Sequence, residues 1–274
     1  MNLFLDYKTE KCIINRLRRA GCVFAEDEAR LLISEARSPE DLKKMVEMRA
    51  YGLPLEYVVG ATEFCGLRIE VDRGVFVPRQ RTEFLVRQAE ALSHSSDIVV
   101  DLCCGSGAVG AALAAALGRI LLYSVDIDPV AVRCAGRNVN DYGGHVFEGD
   151  LYKALPPSLK GHVNILVANV PYVPTEAIKL LPQEARLHEP KVALDGGEDG
   201  LDIQRRVAEE APLWLAPGGH LLVETSEMQA PQTLEIFTTV GLTTTVARDD
   251  ELDATIVIGT NSGFSKYTES PYHK

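Results

Sequence analysis

The sequence lacks any long hydrophobic run and any secretion signal. No stretch of its 274 residues approaches the ~20 apolar residues that a membrane-spanning helix needs. The first residues, MNLFLDYKTEKC, contain an apolar segment too short, and charges too early, for a signal peptide. We therefore expect a cytoplasmic protein that makes no contact with a membrane.

The sequence also lacks paired cysteines and an excess of basic residues. No two of its six cysteines stand two residues apart, so we expect free thiols in a reducing compartment and no metal site. The 28 Lys and Arg against 39 Asp and Glu give a net charge of −11, whereas proteins that bind long phosphate backbones are usually basic. We expect no direct nucleic-acid binding.

The N-terminal part is predicted to be helical. In CIINRLRRAG and AEDEARLLISEAR, apolar residues recur at the spacing of one helix face. In SPEDLKKMVEMRAYG, Ser38 can cap a helix that has a proline in its first position and ends at Gly52. We assign residues 1–54 to an N-terminal helical domain.

Short apolar runs broken by glycine follow in LEYVVG, TEFCGLRIEV and GVFVPR, which indicate a β-hairpin or small sheet before a helix in RTEFLVRQAEALSHSS. Strands and helices then alternate, and two final apolar stretches have no helix between them. This pattern predicts an α/β fold with a seven-stranded, mostly parallel sheet and an antiparallel last strand. We expect a hairpin and linker helix over 55–96, the α/β domain over 97–260 and a flexible tail over 261–274.

A glycine-rich turn, VVDLCCGSGAVG, follows the first strand of this predicted sheet. Ligands of such sheets bind at the carboxyl ends of the strands, where glycine lets them approach the backbone. The turn departs from the dinucleotide-binding fingerprint at Cys103. Its spacing D-x-x-x-G-x-G instead resembles motif I of the class I methyltransferases, which use S-adenosylmethionine. The cofactor residues expected here are Asp101, Cys103, Cys104, Gly105, Ser106 and Gly107.

Two further acids end the next two predicted strands. Asp126, followed by Ile127, can accept hydrogen bonds from both ribose hydroxyls of a nucleotide. Asp150, followed by Leu151, falls in the region that borders the adenine in the methyltransferase pattern. Each acid alone could be a helix cap, and the glycine-rich turn alone a tight loop. Their recurrence at successive strand ends favours a cofactor site.

The fourth strand ends in NILVANVPYVP. An amide nitrogen that is to be methylated must be held by two acceptors, and the side-chain oxygen of Asn169 and the carbonyl of Val170 can supply them. Pro171 keeps Val170 extended, and Tyr172 can pack on a flat substrate group. Alone, the stretch could equally be a strand that ends in a proline turn with a buried tyrosine.

These residues resemble the HemK (PrmC) group of protein-glutamine methyltransferases, whose hallmark is Asn-Pro-Pro-Tyr. The likeness extends over roughly residues 12–260, including PLEYVVGATEFCGLRIEVDRGVFVPRQRTEFLV and EPKVALDGGEDGLDIQRRVAEEAPLWLAPGGHLLVE. It implies methyl transfer from S-adenosylmethionine to a glutamine side chain of a protein, with a release factor or a ribosomal protein as candidate substrate. By position, Asn169 to Tyr172 would hold the glutamine, and Asn169 would also border the cofactor.

The chain departs from the family pattern in two places. Val170 replaces the first proline of the hallmark, a change associated with a subgroup of these relatives. The helical unit over 1–54, which the resemblance implies is the substrate-recognition domain, is shorter than is typical. Both departures bear on the choice of substrate, and the oligomeric state is left open. Arg79, Thr82 and Glu83 are further candidates for the site, whereas His188 is more typical of a loop histidine than of a base. Two alternatives stay open: a methyltransferase that acts on a base amine in RNA or DNA, and a catalytically silent binding protein.

Overall fold

The computed structural model describes residues 7–263, so residues 264–274 of the predicted tail lie outside the described part. Three helices open the chain: α1 (Tyr7–Arg19), α2 (Ala25–Glu35) and α3 (Pro39–Ala50). The side chain of Ser38 accepts a hydrogen bond from the backbone N–H of Asp41 at 3.1 Å, as the cap in the sequence predicts. Leu17 and Leu32 are fully buried in the small core that the three helices share.

The next segment differs in part from the sequence prediction. LEYVV forms a short helix, α4 (Leu55–Val59), instead of a strand. Pro54 precedes its first residue, and Gly60 ends it in the left-handed conformation. Tyr57 and Val58 of this helix are buried. The hairpin consists only of β1 (Ala61–Phe64) and β2 (Leu67–Glu70). GVFVPR contains no strand and leads through a 3₁₀ turn (Gln80–Thr82) into α5 (Glu83–Leu92).

The alternation of strands and helices that follows is confirmed. Its strands are β3 (Ile98–Leu102), β4 (Leu121–Asp126), β5 (His145–Glu148), β6 (Val163–Ala168), β7 (Leu215–Thr225), β8 (Thr243–Asp249) and β9 (Ala254–Thr260). Its helices are α6 (Ala108–Leu117), α7 (Pro129–Val139), α8 (Gln183–His188), α9 (Asp202–Trp214) and α10 (Ala230–Thr239). None of the described helices is long and apolar enough to cross a membrane.

The seven strands form one sheet in the order β5-β4-β3-β6-β7-β9-β8. The first five pair in parallel, and β9 runs antiparallel to both of its neighbours, which confirms the prediction of an antiparallel last strand. The sheet has a hydrophobic core on each face, as parallel strands covered by helices require.

The register aligns the carboxyl ends of the central strands. Leu102 lies opposite both Val125 and Ala168, and Ala168 lies opposite Val223. The residues that follow these positions therefore meet at one edge of the sheet, which is where open parallel sheets bind ligands.

Candidate active site

A cavity of about 670 Å³ opens at this edge of the sheet. Its volume lies within the range of small-molecule sites. It brings together residues from segments that are far apart in the sequence. Of the predicted cofactor and substrate residues, those lining the cavity are Asp101, Cys103, Cys104, Gly105, Ser106, Asp126, Ile127, Asp150, Leu151, Asn169, Val170, Pro171 and Tyr172.

Gly107 is the one predicted cofactor residue that does not line the cavity. It caps α6 with a φ of 77°, and a Cβ atom there would lie 3.0 Å from the Cβ of Ala135 on α7. The glycine therefore allows α6 to pack closely on α7, and it serves the cavity only by setting the position of that helix.

The glycine-rich turn is held against Asp126. Its carboxylate accepts hydrogen bonds from the backbone N–H of Gly105 at 2.8 Å and of Asp128 at 2.9 Å, one on each oxygen. Each oxygen keeps a further acceptor site, so a ribose diol could still bind. Burial raises the pKa of Asp126, and the backbone donors oppose that rise.

Cys103 lies in the left-handed region, with a φ of 56°, in a conformation that favours glycine. Burial raises the pKa of the Cys103 and Cys104 thiols, so both stay protonated at neutral pH. Neither thiol is activated as a nucleophile by its surroundings.

Asp101 is a buried acid at the start of this turn. Burial raises its pKa to about 7; the backbone N–H of Gly110, which donates to it at 3.0 Å, lowers the pKa, and the nearby Asp126 raises it further. A carboxylate with such a pKa exchanges its proton near neutral pH, and a cationic ligand in the cavity would favour its charged form.

Asp150 is tied to basic side chains at the cavity wall. Arg206 on α9 reaches both of its oxygens, at 2.6 and 2.7 Å, and Lys153 reaches one at 2.8 Å. The hydrogen bonds from Lys153 and Arg206 lower the pKa of Asp150. Leu151 follows with a φ of 50°, which turns the chain sharply at this point.

The amide of Asn169 is oriented by a partner from the 3₁₀ turn. Its Nδ2 donates a hydrogen bond to Oγ1 of Thr82 at 3.2 Å. Its Oδ1 accepts no hydrogen bond from residues 7–263, nor does the carbonyl oxygen of Val170. Two acceptors of adjacent residues are therefore available at the cavity, as methylation of an amide requires.

The backbone that follows Asn169 and Val170 is held by two sets of hydrogen bonds. Nε2 of Gln229 donates to the carbonyl oxygens of Tyr172 and Asp199, both at 3.0 Å. The N–H of Val173 donates to the carbonyl of Leu194 at 3.1 Å, in an isolated bridge that the chain makes beyond the sheet. The main chain after the motif is thus held by the side chain of Gln229 and by backbone hydrogen bonds to the segment near Leu194.

Tyr172 is held through its hydroxyl. Arg81 donates to that hydroxyl and, through Nε, to Oε1 of Glu224 at 3.1 Å. Burial, followed by the charge of Glu224, raises the pKa of Tyr172 to about 12. Tyr172 therefore stays protonated over the physiological range.

Of the four other residues considered from the sequence, two line the cavity and two do not. Arg79 and Thr82 line the cavity. The carboxylate of Glu83 instead accepts a hydrogen bond from the backbone N–H of Cys65 at 2.9 Å, and His188 does not line the cavity. Residues 7–263 contain no cluster of three His, Cys, Asp or Glu side chains that could hold a metal ion.

Sequence reasoning missed Arg81, Glu224, Gln229 and Arg206. Glu224 was within reach of the same argument as Asp126, because it stands near the carboxyl end of β7 in HLLVET. The other three are placed by tertiary contacts with no local signal.

Comparison with known proteins decides the family. Residues 67–195 match the methyltransferase small domain. The release factor glutamine methyltransferase of Geobacter sulfurreducens is 36% identical over 82% of this chain and 80% of its own length. The enzyme of that name from Xylella fastidiosa is 34% identical over 84% of each chain. The chain belongs to the release factor glutamine methyltransferase family.

Solved structures agree with this fold. A methyltransferase from Pyrococcus furiosus superposes with a TM-score of 0.55 at 15% identity, over 72% of this chain and 89% of its own. A ribosomal protein L11 methylase from Lactobacillus delbrueckii gives a TM-score of 0.51 at 14% identity, over 70% and 84%. At such identities the likeness concerns the fold alone, which is that of the class I methyltransferases using S-adenosylmethionine.

Proposed function

We propose that this protein transfers a methyl group from S-adenosylmethionine to the side-chain amide nitrogen of a glutamine in a protein, and that the protein is a peptide-chain release factor. The family supports this activity, and the curated relatives carry it in their names. Since release factors act on the ribosome, we expect the enzyme in the cytoplasm.

The cavity fits the cofactor. Gly105 and Cys103 leave the backbone of the turn open to a ligand, Asp126 would accept hydrogen bonds from the ribose hydroxyls, and Asp150 and Leu151 would border the adenine. When bound, S-adenosylmethionine supplies an electrophilic methyl group on a positively charged sulfur. Asp101 would then be held in its ionised form, because that charge favours the carboxylate.

The observation that carries the proposal is the orientation of Asn169. With Nδ2 engaged by Thr82, Oδ1 is the free acceptor of this side chain, and the carbonyl of Val170 is the second. Together they would take both hydrogens of a glutamine amide and orient its nitrogen toward the cofactor. Partial positive charge that develops on the amide would be stabilised by the same two oxygens.

No side chain is needed as a general base in this scheme. An amide nitrogen that has gained a methyl group is strongly acidic and loses its proton to water or through an acceptor oxygen. The site therefore contributes position and electrostatic stabilisation, rather than a group whose pKa is tuned to the reaction.

The direct test incubates the purified protein with S-adenosylmethionine labelled in its methyl group and with a purified peptide-chain release factor. Mass spectrometry of the digested release factor should find one methylated glutamine. A parallel reaction with cell extract, with and without nuclease, tests the open alternative. Label that remains in protein after nuclease supports the proposal, whereas label that is lost with the nucleic acid contradicts it.

The variant Asn169→Ala tests the role of the amide. It should abolish methyl transfer while the dissociation constant of S-adenosylmethionine, measured by calorimetry, stays within about threefold, which corresponds to less than ~0.7 kcal/mol. Asn140→Ala, at an exposed position after α7, is the matched control and should keep full activity. Transfer by Asn169→Ala at the wild-type rate would refute the proposed role.

A further inference from the structure

Glu224 is a buried charge that the reaction scheme above does not use. Glu224 lies in β7 and is 1% exposed, and within residues 7–263 only its Oε1 has a hydrogen-bond partner, Nε of Arg81 at 3.1 Å. Oε2 is buried and accepts no hydrogen bond from these residues. A buried carboxylate is costly unless it is paired, so its presence beside the site calls for a physical reason.

The register of the sheet places Glu224 next to the substrate motif. Ala168 at the end of β6 lies opposite Val223 of β7, so the residues that follow, Asn169 and Glu224, are neighbours across the two parallel strands. Both side chains contact the same 3₁₀ turn: Asn169 contacts Thr82, and Glu224 contacts Arg81. Adjacent residues of one turn thus anchor adjacent strand ends.

Arg81 connects this buried charge to the substrate motif. Its guanidinium donates to the hydroxyl of Tyr172 as well as to Glu224, and its Cζ atom lies 5.7 Å from the centre of the Tyr172 ring. The Arg81 side chain is partly exposed and lines the cavity, whereas the Glu224 side chain is buried behind it. A planar guanidinium can make both hydrogen bonds at once, which an ammonium group cannot do with the same geometry.

We propose that Arg81 and Glu224 are positioning residues that act through the hydroxyl of Tyr172 and fix its ring as a wall of the site that holds the substrate amide. This inference rests on the proposed function, in which Tyr172 packs on the glutamine side chain. Glu224 fixes the guanidinium, the guanidinium fixes the hydroxyl, and the ring is thereby held at both of its ends, by the backbone and by the hydroxyl.

The physical reason lies in the freedom of a tyrosine ring. Without a partner for its hydroxyl, the ring can rotate about its side-chain bonds toward the open cavity. A substrate amide packed against a mobile ring spends less time aligned with the methyl group, so the rate of methyl transfer falls. Binding of the cofactor, which contacts other residues, should not change.

The experiment measures kcat and KM for a purified release factor, together with the dissociation constant of S-adenosylmethionine. The variants are Arg81→Met, Arg81→Lys, Tyr172→Phe, Glu224→Gln and the double variant of Arg81→Met with Tyr172→Phe. The matched control is Arg87→Met, because Arg87 also pairs with an acid, Asp249 at 3.0 Å, and also lies 5.7 Å from an aromatic ring, that of Phe84, but does not line the cavity.

We expect Arg81→Met and Tyr172→Phe each to lower kcat about tenfold, with cofactor affinity unchanged. The double variant should be no slower than either single variant, because both remove the same contact. Glu224→Gln should lower kcat in the same direction, Arg81→Lys should restore only part of the rate, and Arg87→Met should leave kcat at the wild-type value.

Three results would overturn the inference. The first is a wild-type kcat for Tyr172→Phe, which loses only one hydroxyl and so answers the question even if Arg81→Met fails to fold. The second is independent, multiplicative effects in the double variant. A lower unfolding temperature with unchanged kcat would also overturn it, since that is what a purely structural ion pair predicts. Failure of the proposed function looks different, because the wild-type enzyme itself would then methylate no glutamine.

Discussion

Asp101 should make the stability of this protein fall as the pH rises through neutrality. The carboxylate is buried at the carboxyl end of β3 and accepts one backbone hydrogen bond, from Gly110. Burial raises its pKa to about 7. The perturbation that tests this is Asp101→Asn, which has nearly the same shape, keeps an acceptor oxygen for Gly110 and carries no charge at any pH.

The magnitude follows from the difference in pKa between the two states. An aspartate in an unfolded chain has a pKa of about 3.9, whereas the native value is about 7. Between these values the native protein holds a proton that the unfolded chain has released, so the free energy of unfolding falls by about 1.4 kcal/mol per pH unit. The contribution is fully present below about pH 4 and is lost as the pH rises to about 7. From about pH 5.5 upward, the remaining loss is about 2 kcal/mol.

The assay is urea unfolding of the wild type and Asp101→Asn, without cofactor, at about pH 5.5 and about pH 8. The difference between the free energies of unfolding of the two proteins at each pH removes the contributions of all other titrating groups. The stability of the variant relative to the wild type should improve by about 2 kcal/mol between the lower and the higher pH. An identical difference at both pH values would mean that Asp101 is already ionised in the native protein at the lower pH, and the reasoning would fail.

Three further predictions concern the substrate side of the cavity. Thr82→Val should lower kcat about fivefold, since one hydrogen bond of about 1 kcal/mol orients the Asn169 amide, whereas Thr82→Ser should keep the wild-type rate; equal rates for both would refute this role. Val170→Pro should change kcat by less than about tenfold, ~1.4 kcal/mol in barrier, if the carbonyl is what matters. Glu184→Ala removes the contact of α8 with Arg49 at 2.6 Å and should speed amide hydrogen exchange in residues 183–190, whereas Glu176→Ala, which loses only a pair within its own segment, should not.

The parts of the fold that depend on local pattern could be predicted from the sequence. The alternation of apolar runs with amphipathic helices and the cap at Ser38 are features of adjacent residues, and the structure contains the sheet and the cap they predict. LEYVV was predicted wrongly because a short, mostly apolar segment suits a strand or a helix equally. The proline before it and the glycine after it favour the helix.

In the site, too, some residues could be predicted from the sequence and others depend on tertiary contacts. Asp126 and Asn169 could be proposed because the ends of parallel strands meet at one edge, which is a rule of topology. The contact of Arg81 with Glu224 joins residues 143 positions apart, and that of Arg49 with Glu184 joins residues 135 apart. No periodicity or spacing encodes such pairs, since they depend on how the linker and the helical unit pack on the finished sheet.

The valine in Asn-Val-Pro-Tyr bears on packing more than on chemistry. The side chain of Val170 is 1% exposed and belongs to the hydrophobic core on one face of the sheet. A residue buried in this way contributes its carbonyl to the cavity, but its side chain does not meet a protein docked outside.

We therefore propose that the choice of protein substrate depends on residues further out. The clearest candidates are the exposed apolar side chains of Leu180 and Leu187 in the segment after the motif, and of Phe24 and Tyr51 in the helical unit. Arg49 of the helical unit pairs with Glu184, which lines the cavity. A protein that binds the helical unit could therefore change the position of the segment around Glu184.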